Sequence, residues 1–353
     1  MRTLLAWLHA QHCPYADLRT ILREKDRLEG LAPLGIMEVL PQLAEKTRLA
    51  LLAYEQSKQS FDIEQVCRTH KSRMILWGDC EYPAYFYEIE EPPPVLYVRG
   101  QGGLSRQAMF AIIGSRRTTQ YGLRNAKRIA RNLAQAGIVI VSGLAEGIDT
   151  AAHQAALEAG ETIAVLGCGI DWIYPKSNAR LYEQIAESGL LLSEFPFGEK
   201  PYGYHFPFRN RLISGLTEGV ILVEGTNKSG AMSTIRHALN QGKMIYALPG
   251  DIDRKTSEGP NQLIFEGAEP LLNCDQILDC HAVQRRDQKR EASLELTPRE
   301  REILCLLDQE PMGIEKICNL SNLSIHDIVS VLTSLELYGT VIRQGNHYYR
   351  TRR

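Results

Sequence analysis

AMFAIIGSRRTTQYGLRNAKRIARNLAQAGIVIVSGLAEGID, residues 108–149, contains two short apolar runs with a helical stretch between them. The runs, AMFAIIG (108–114) and GIVIVSG (137–143), are β-rich and continuous rather than alternating. Continuous apolar runs predict strands buried on both faces. The stretch between them sets Leu123, Ala126, Ala130 and Leu133 on one helical face. Four more runs follow: TIAVLG (162–167), GLLLSEF (189–195), GVILVEG (219–225) and KMIYALPG (243–250). The six starts are 29, 25, 27, 30 and 24 residues apart, near the roughly 30 residues of a βαβ unit. Helical stretches fill the gaps at 149–160, with Asp149 as a cap and Gly160 as a stop, and at 229–242. The pattern predicts an α/β fold, a doubly wound Rossmann-like parallel sheet, over residues 69–280.

Smaller units flank it. Residues 1–68 show helical spacing at Leu4, Leu5, Leu8, Leu18, Ile21 and Leu22, punctuated by Pro14, Pro33 and Gly35. This predicts a small N-terminal helical (SAM-like) domain. Residues 69–104 are rich in turn residues, and Pro92–Pro94 must be extended. A polar, charge-dense linker spans 281–296. At Thr297 the run TPRE forms a capping box, with Glu300 reaching back. Three short helices follow, the last stopped by Gly339, then a hairpin turning at Gly345–Asn346. Residues 297–353 thus predict a winged-helix domain.

Composition narrows the classes. The 353 residues carry 40 basic and 42 acidic side chains, a net charge of −2. Hydrophobic residues at 44% and charged residues at 23% fit a globular chain. No apolar run approaches the roughly 18 residues of a membrane span, and the N-terminus lacks a signal-peptide cleavage pattern. We expect a cytoplasmic protein without a membrane partner. The eight cysteines include no C-x-x-C pair and read as reduced thiols. His9, His12 and Cys13 lie close together but lack a second ligand pair, so no metal is expected.

In an open parallel sheet, ligands bind beyond the carboxyl ends of the strands. Every strand end here supplies Gly, Ser or Thr, and Arg116, Lys176, Arg209, Arg211 and Lys228 come from four different loops on that edge. Small residues admit backbone N–H groups to a ligand, and helix N-termini add positive potential. The edge predicts a phosphate site. G-x-G-x-x-G does not follow the first strand, and no P-loop is present, so a dinucleotide or nucleotide cofactor is not expected. From Pro92 to Ala145 there is no Asp or Glu but eight basic residues, and Arg124, Lys127, Arg128 and Arg131 share one helical face. Tyr121, Trp172, Tyr174, Phe195, Phe197, Phe206 and Phe208 lie near the same loops. Basic grooves with aromatic platforms hold single strands. Bland readings compete: Asp149 as a helix cap, His153 as a packed histidine, Glu224 as structural, and Arg209 and Arg211 paired with Glu194 or Glu218.

The motifs GSR (114–116), SGLAEGID (142–149), GCGIDWIYPKSN (167–178), SEFPFG (193–198), FPFRNRLISGL (206–216), KSGAMSTIRHAL (228–239) and NQLIFEGA (261–268) resemble, in order, those of the DNA-processing protein DprA (Smf) family. The match covers roughly residues 70–275, and the FP-x-RNR-x-ISGL run is highly specific. The resemblance implies a non-enzymatic protein of natural transformation that binds single-stranded DNA, shields it and loads the RecA recombinase. It also implies a homodimer. Carried over by motif, Arg116 and Lys176 would contact DNA phosphates, Gly114, Ser115, Asn178, Arg209, Asn210, Lys228, Ser229 and Gly230 would belong to the same DNA-binding pocket, and Leu263 and Ile264 would anchor the dimer.

Rival classes are a phosphoribohydrolase and a transcription regulator. The first wants a PGG-x-GT-x-x-E loop; here Pro249-Gly250-Asp251 lacks the catalytic Glu. Against the second, residues 297–353 hold seven basic and seven acidic side chains, and the would-be recognition helix, 324–338, has neither Arg nor Lys. Base readers normally need them. The winged helix is therefore expected to have a protein-docking or accessory role.

Overall fold

Six short helices open the chain: α1 (Arg2–Ala10), α2 (Tyr15–Arg23), α3 (Lys25–Leu28), α4 (Pro33–Val39), α5 (Glu45–Ser57) and α6 (Ile63–Thr69). Two strands follow, β1 (Ser72–Leu76) and β2 (Val95–Gly100). The six apolar runs then become β3 (Met109–Ile113), β4 (Val139–Ser142), β5 (Thr162–Val165), β6 (Leu190–Ser193), β7 (Gly219–Leu222) and β8 (Met244–Ala247). A two-residue β9 (Glu269–Pro270) completes the sheet. The structure is a computed structural model that describes residues 1–57, 62–104, 108–279, 297–309, 312–321, 323–337, 341–344 and 347–350. The linker 281–296, Arg106, Gly339 and the Gly345–Asn346 turn lie outside the described residues.

The nine strands run in the order β1-β2-β6-β5-β4-β3-β7-β8-β9. From β6 to β9 all neighbours are parallel; β1 and β2 add an antiparallel ribbon against β6. That ribbon comes from the turn-rich segment 69–104. Pro92–Pro94 holds the chain extended, and Val95–Val98 is buried as soon as it ends. Alternate residues serve opposite faces: Leu191 packs with the N-terminal helices, whereas Leu190 and Leu192 join the other core. Leu5, Leu8, Leu18, Ile21 and Leu51 share that first core with Val95, Tyr97 and Leu166. Residues Met1–Gln276 accordingly form one compact unit, helices α1–α6 included.

Between the strands lie α7 (Gln120–Gln135), α8 (Ile148–Leu157), α9 (Ala179–Ser188), α10 (His205–Gly215), α11 (Ala231–Asn240) and α12 (Glu258–Phe265). Thr119 caps α7 by accepting from Gly122 N–H. The helix buries Ala126, Ile129, Ala130 and Leu133 and exposes Arg124, Lys127, Arg128 and Arg131. Ala151, Ala152, Ala155 and Ala156 of α8 are buried, so the two helices pack closely. At Gly160 a Cβ would lie 2.7 Å from the Ala134 carbonyl, which explains the glycine there.

Ile277–Arg353 form a second unit. It holds α13 (Pro298–Gln309), α14 (Ile314–Leu320), α15 (Ile325–Leu337) and the antiparallel pair β10 (Val341–Gln344) and β11 (His347–Arg350). The capping box forms as expected: Glu300 N–H donates to Thr297 Oγ1 at 3.3 Å, and Thr297 N–H to Glu300 Oε2 at 2.7 Å. Ile303, Leu307, Ile317, Ile328, Leu332 and Val341 make its core. On α15, Ile325 and Val329 are exposed. Among the described residues, no helix is long and apolar enough to cross a membrane.

Candidate functional site

The chain reverses its direction of travel across the sheet between β3 and β7, and the crevice at such a reversal is where open α/β sheets take ligands. The loop leaving β3 is held by its neighbours. At Gly114 a Cβ would meet Ile148 Cγ1 at 2.7 Å and the Glu224 carbonyl at 2.9 Å. Ser115 N–H donates to that carbonyl at 2.7 Å. The Ser115 hydroxyl closes the turn, donating to Arg117 O at 2.8 Å and accepting from Arg117 N–H at 3.0 Å. Buried Glu224 accepts from Thr119 N–H at 2.9 Å, from the Thr119 hydroxyl, and from Thr256 Oγ1 at 3.4 Å. Glu224 is structural and braces the loop from which Arg116 projects.

Arg116 is exposed and makes no ion pair among the described residues. It overhangs a cavity of about 90 Å³ whose walls include Gly143, Glu146, Cys168, Tyr174 and Phe206. That space admits a compact anionic group such as a phosphate beneath the Arg116 guanidinium. Phe206 is the platform: the guanidinium carbons of Arg116 and Arg209 stand 5.8 and 5.9 Å from its ring centre.

Arg209 forms the floor and is buried. Its Nη1 donates to Gly143 O at 3.1 Å and to Val165 O, and its Nε to Asn210 Oδ1 at 3.2 Å. Asp149 Oδ2 accepts from Gly143 N–H at 3.1 Å and Ala145 N–H at 3.3 Å. Loop 143–149 is thus clamped between a carboxylate and a guanidinium. Burial pushes the Asp149 carboxyl up to about 6 against the attraction of Arg209. Burial lowers Arg209 to about 10, so it stays charged at neutral pH. Burial also raises the Cys168 thiol to about 12. His153 is lowered to about 3 by burial, and its Nδ1 lies 2.7 Å from Thr162 Oγ1, a packed histidine.

The remaining expected residues separate. Lys176 is exposed in a short turn directly after Pro175, a wall residue of the cavity. Asn178 is buried and donates to Leu144 O at 3.0 Å and Thr150 Oγ1 at 2.9 Å, so it staples two loops instead of facing a ligand. Asn210 is also turned away, toward Gly230 O and Ser233 Oγ at 3.5 Å. Lys228, Ser229 and Gly230 stand before α11, outside the walls of the Arg116 cavity. Arg211 is no anion ligand: it grips Glu194 at 2.6 Å through both Nη atoms. At the other end of the unit, Leu263 is buried in the protomer's own core and Ile264 packs against it, whereas Phe265 is 87% exposed. Of the apolar residues on this turn of α12, Phe265 is the one left exposed. Sequence reading missed Glu146 at the rim; its signal was the SGLAEGID loop itself.

Residues 73–282 match the DNA recombination-mediator protein A family, and residues 287–346 match the DprA winged helix domain. The chain belongs to the DNA recombination-mediator protein A family. Protein Smf of Synechocystis is 35% identical over 393 residues, covering 99% of this chain and 98% of that protein. The X-ray structure of DNA processing protein A from Streptococcus pneumoniae superposes with a TM-score of 0.67 at 33% identity, over 77% of this chain and 95% of that one. A structure describing the single-stranded DNA binding mode of the Helicobacter pylori protein superposes at 0.56 and 34% identity, over 61% and 97%.

Proposed function

We propose that this family member binds single-stranded DNA at the Arg116 cavity, without reading sequence, as a DNA-processing protein of natural transformation that shields incoming strands and loads RecA recombinase. The observation that carries this reading is that exposed Arg116 overhangs a small cavity floored by Arg209, while exposed Lys176 directly follows its wall residue Pro175, both cations outside any ion pair among the described residues. Arginine grips phosphate bidentately and lysine acts as a point charge. The amides suited to base reading, Asn178 and Asn210, are committed to protein partners, which favours backbone contacts that position without specifying. The single-stranded DNA binding mode described for the Helicobacter pylori relative supports the ligand class. The chemistry of the cavity favours holding over catalysis: the Cys168 thiol stays protonated. The test is fluorescence anisotropy of labelled oligonucleotides across a salt series. Single strands should bind more tightly than duplex; equal binding of both would overturn the reading.

Proton uptake by Asp149 should be visible in that assay. As pH falls through about 6, its carboxylate is neutralised and the cavity gains one unit of positive charge. Affinity should therefore rise between pH 7.5 and 5.5. Asp149→Asn keeps the oxygen that accepts both loop bonds and should bind as the acid form does throughout. A pH slope unchanged in that variant would place the titrating group elsewhere.

The partners are also proposals. Phe265 and Ile252, 87% and 89% exposed, are bare apolar side chains suited to a second copy of the chain. Phe265→Glu should convert a homodimer to monomers in sedimentation, with little change in melting temperature. Removing residues 290–353 should leave most single-strand affinity intact, because α15 presents Ile325 and Val329 rather than basic groups. A tenfold loss at fixed salt would return the winged helix to the DNA path.

A further inference from the structure

On the flank of α10 opposite the Arg116 cavity lies a larger cleft, about 500 Å³, between that helix and the N-terminal helices. Phe206 and Arg209 face the first cavity; Tyr204, His205 and Phe208 face the second. We propose that this cleft is a nucleobase subsite, taking a base from the strand whose phosphate sits at Arg116; the proposal rests on the single-strand reading above.

Three observations carry it. The volume falls within the roughly 300–1,000 Å³ of small-ligand sites, several times the first cavity's. The walls are flat and aromatic: Phe195 stacks on His205 at 4.1 Å, and Tyr15 packs on Phe208 at 6.3 Å. At the mouth Tyr202 and Tyr204 stack within 7° of parallel at 5.7 Å, and Tyr204 is 70% exposed, an unusual position for a ring with no catalytic task. The first space has the exposed Arg116 guanidinium and the buried Arg209 against one wall carboxylate, Glu146. The cleft holds both Arg19 and Glu91 on its walls, and Glu199 lies 3.4 Å from His12 and 3.7 Å from His205 at its edge. It thus offers less positive charge to a phosphate, and a set of ring faces to a base. One nucleotide chain with its phosphate on the Arg side and its base on the Tyr side of α10 satisfies both surfaces.

The experiment compares Tyr204→Ala with the parent on two probes: a twenty-nucleotide thymidine oligomer and an abasic sugar–phosphate oligomer of equal length. Tyr204→Ala should weaken the thymidine oligomer about tenfold, within the range of one base–aromatic stack. The abasic probe should be unaffected, and Tyr204→Trp should restore binding. Equal losses on both probes, or no loss on either, would overturn the subsite. The Arg116→Ala/Lys176→Glu variant separates the two ideas. It should weaken both probes. If it weakens neither, the phosphate site fails, whatever Tyr204 does. Photo-cross-linking of a 5-iodouracil oligomer should label the peptide carrying Tyr204; labelling confined to other peptides would overturn the subsite.

Discussion

Arg116→Ala/Lys176→Glu should bind a single-stranded oligonucleotide about a hundredfold more weakly than the parent at moderate salt. Each charge-assisted contact contributes about 1.5–3 kcal/mol, and a hundredfold is about 2.8 kcal/mol at 1.4 kcal/mol per decade. A lower bound per contact is thus enough, with the reversed charge at 176 adding repulsion. The salt dependence gives a second reading. Losing two phosphate contacts should flatten the slope of log K against log salt by about 1.4, at roughly 0.7 per phosphate on single strands. The fold should be unaffected, since both side chains are exposed. Full binding with an unchanged slope would move the DNA off this cavity. Arg209 is not suited to the same experiment: it bonds two backbone carbonyls, and its loss disturbs the loop it shares with Asp149.

The largest stability effect is expected at Arg211. Its guanidinium grips Glu194, which is fully buried, and also donates to Glu91 O at 3.1 Å. Tyr15 of α2 donates to the same carboxylate at 3.3 Å. Arg211→Met leaves Glu194 charged, buried and short of a cation, which costs about 3–5 kcal/mol. At about 2–4 °C per kcal/mol, melting should fall by roughly 10 °C. Arg211→Met/Glu194→Leu should recover most of that loss, because replacing both members of a buried pair with apolar groups is often neutral or stabilising. A melting change under about 2 °C in the single variant would show that the pair is not structurally important. The cluster joins α2, β6 and α10, so the loss should also loosen the N-terminal helices on the sheet.

The six parallel strands were legible because they are buried on both faces, and burial leaves unbroken apolar runs. The β1–β2 ribbon was less so: Ser72 and Arg73 are only half-buried, and Pro92–Pro94 masks the start of the second strand. In the site, charge type was legible but direction was not. FPFRNRLISGL contains two arginines two residues apart, and only the fold shows that one floors a cavity while the other closes an ion pair. The two asparagines look like ligands in sequence because polar residues in loops serve both roles. Their hydrogen-bond partners come from segments about 20 to 34 residues away in the chain, beyond what local spacing reports. At 263–265, three apolar residues on one turn gave no sign of which would face outward.

The strand order bears on when the site comes into being. Its walls are supplied by residues 116, 143, 145–146, 166–168, 174–175, 206 and 209. β3, which aims Arg116, pairs with β7 at residues 219–222. Domains form as the chain leaves the ribosome, N-terminal portions first. A nascent chain cut short before β7 therefore carries Arg116 and Lys176 without the strand that braces the Arg116 loop. If DNA binds at this cavity, incomplete products should be poor competitors for it, with binding gained late in synthesis, once β7 pairs with β3.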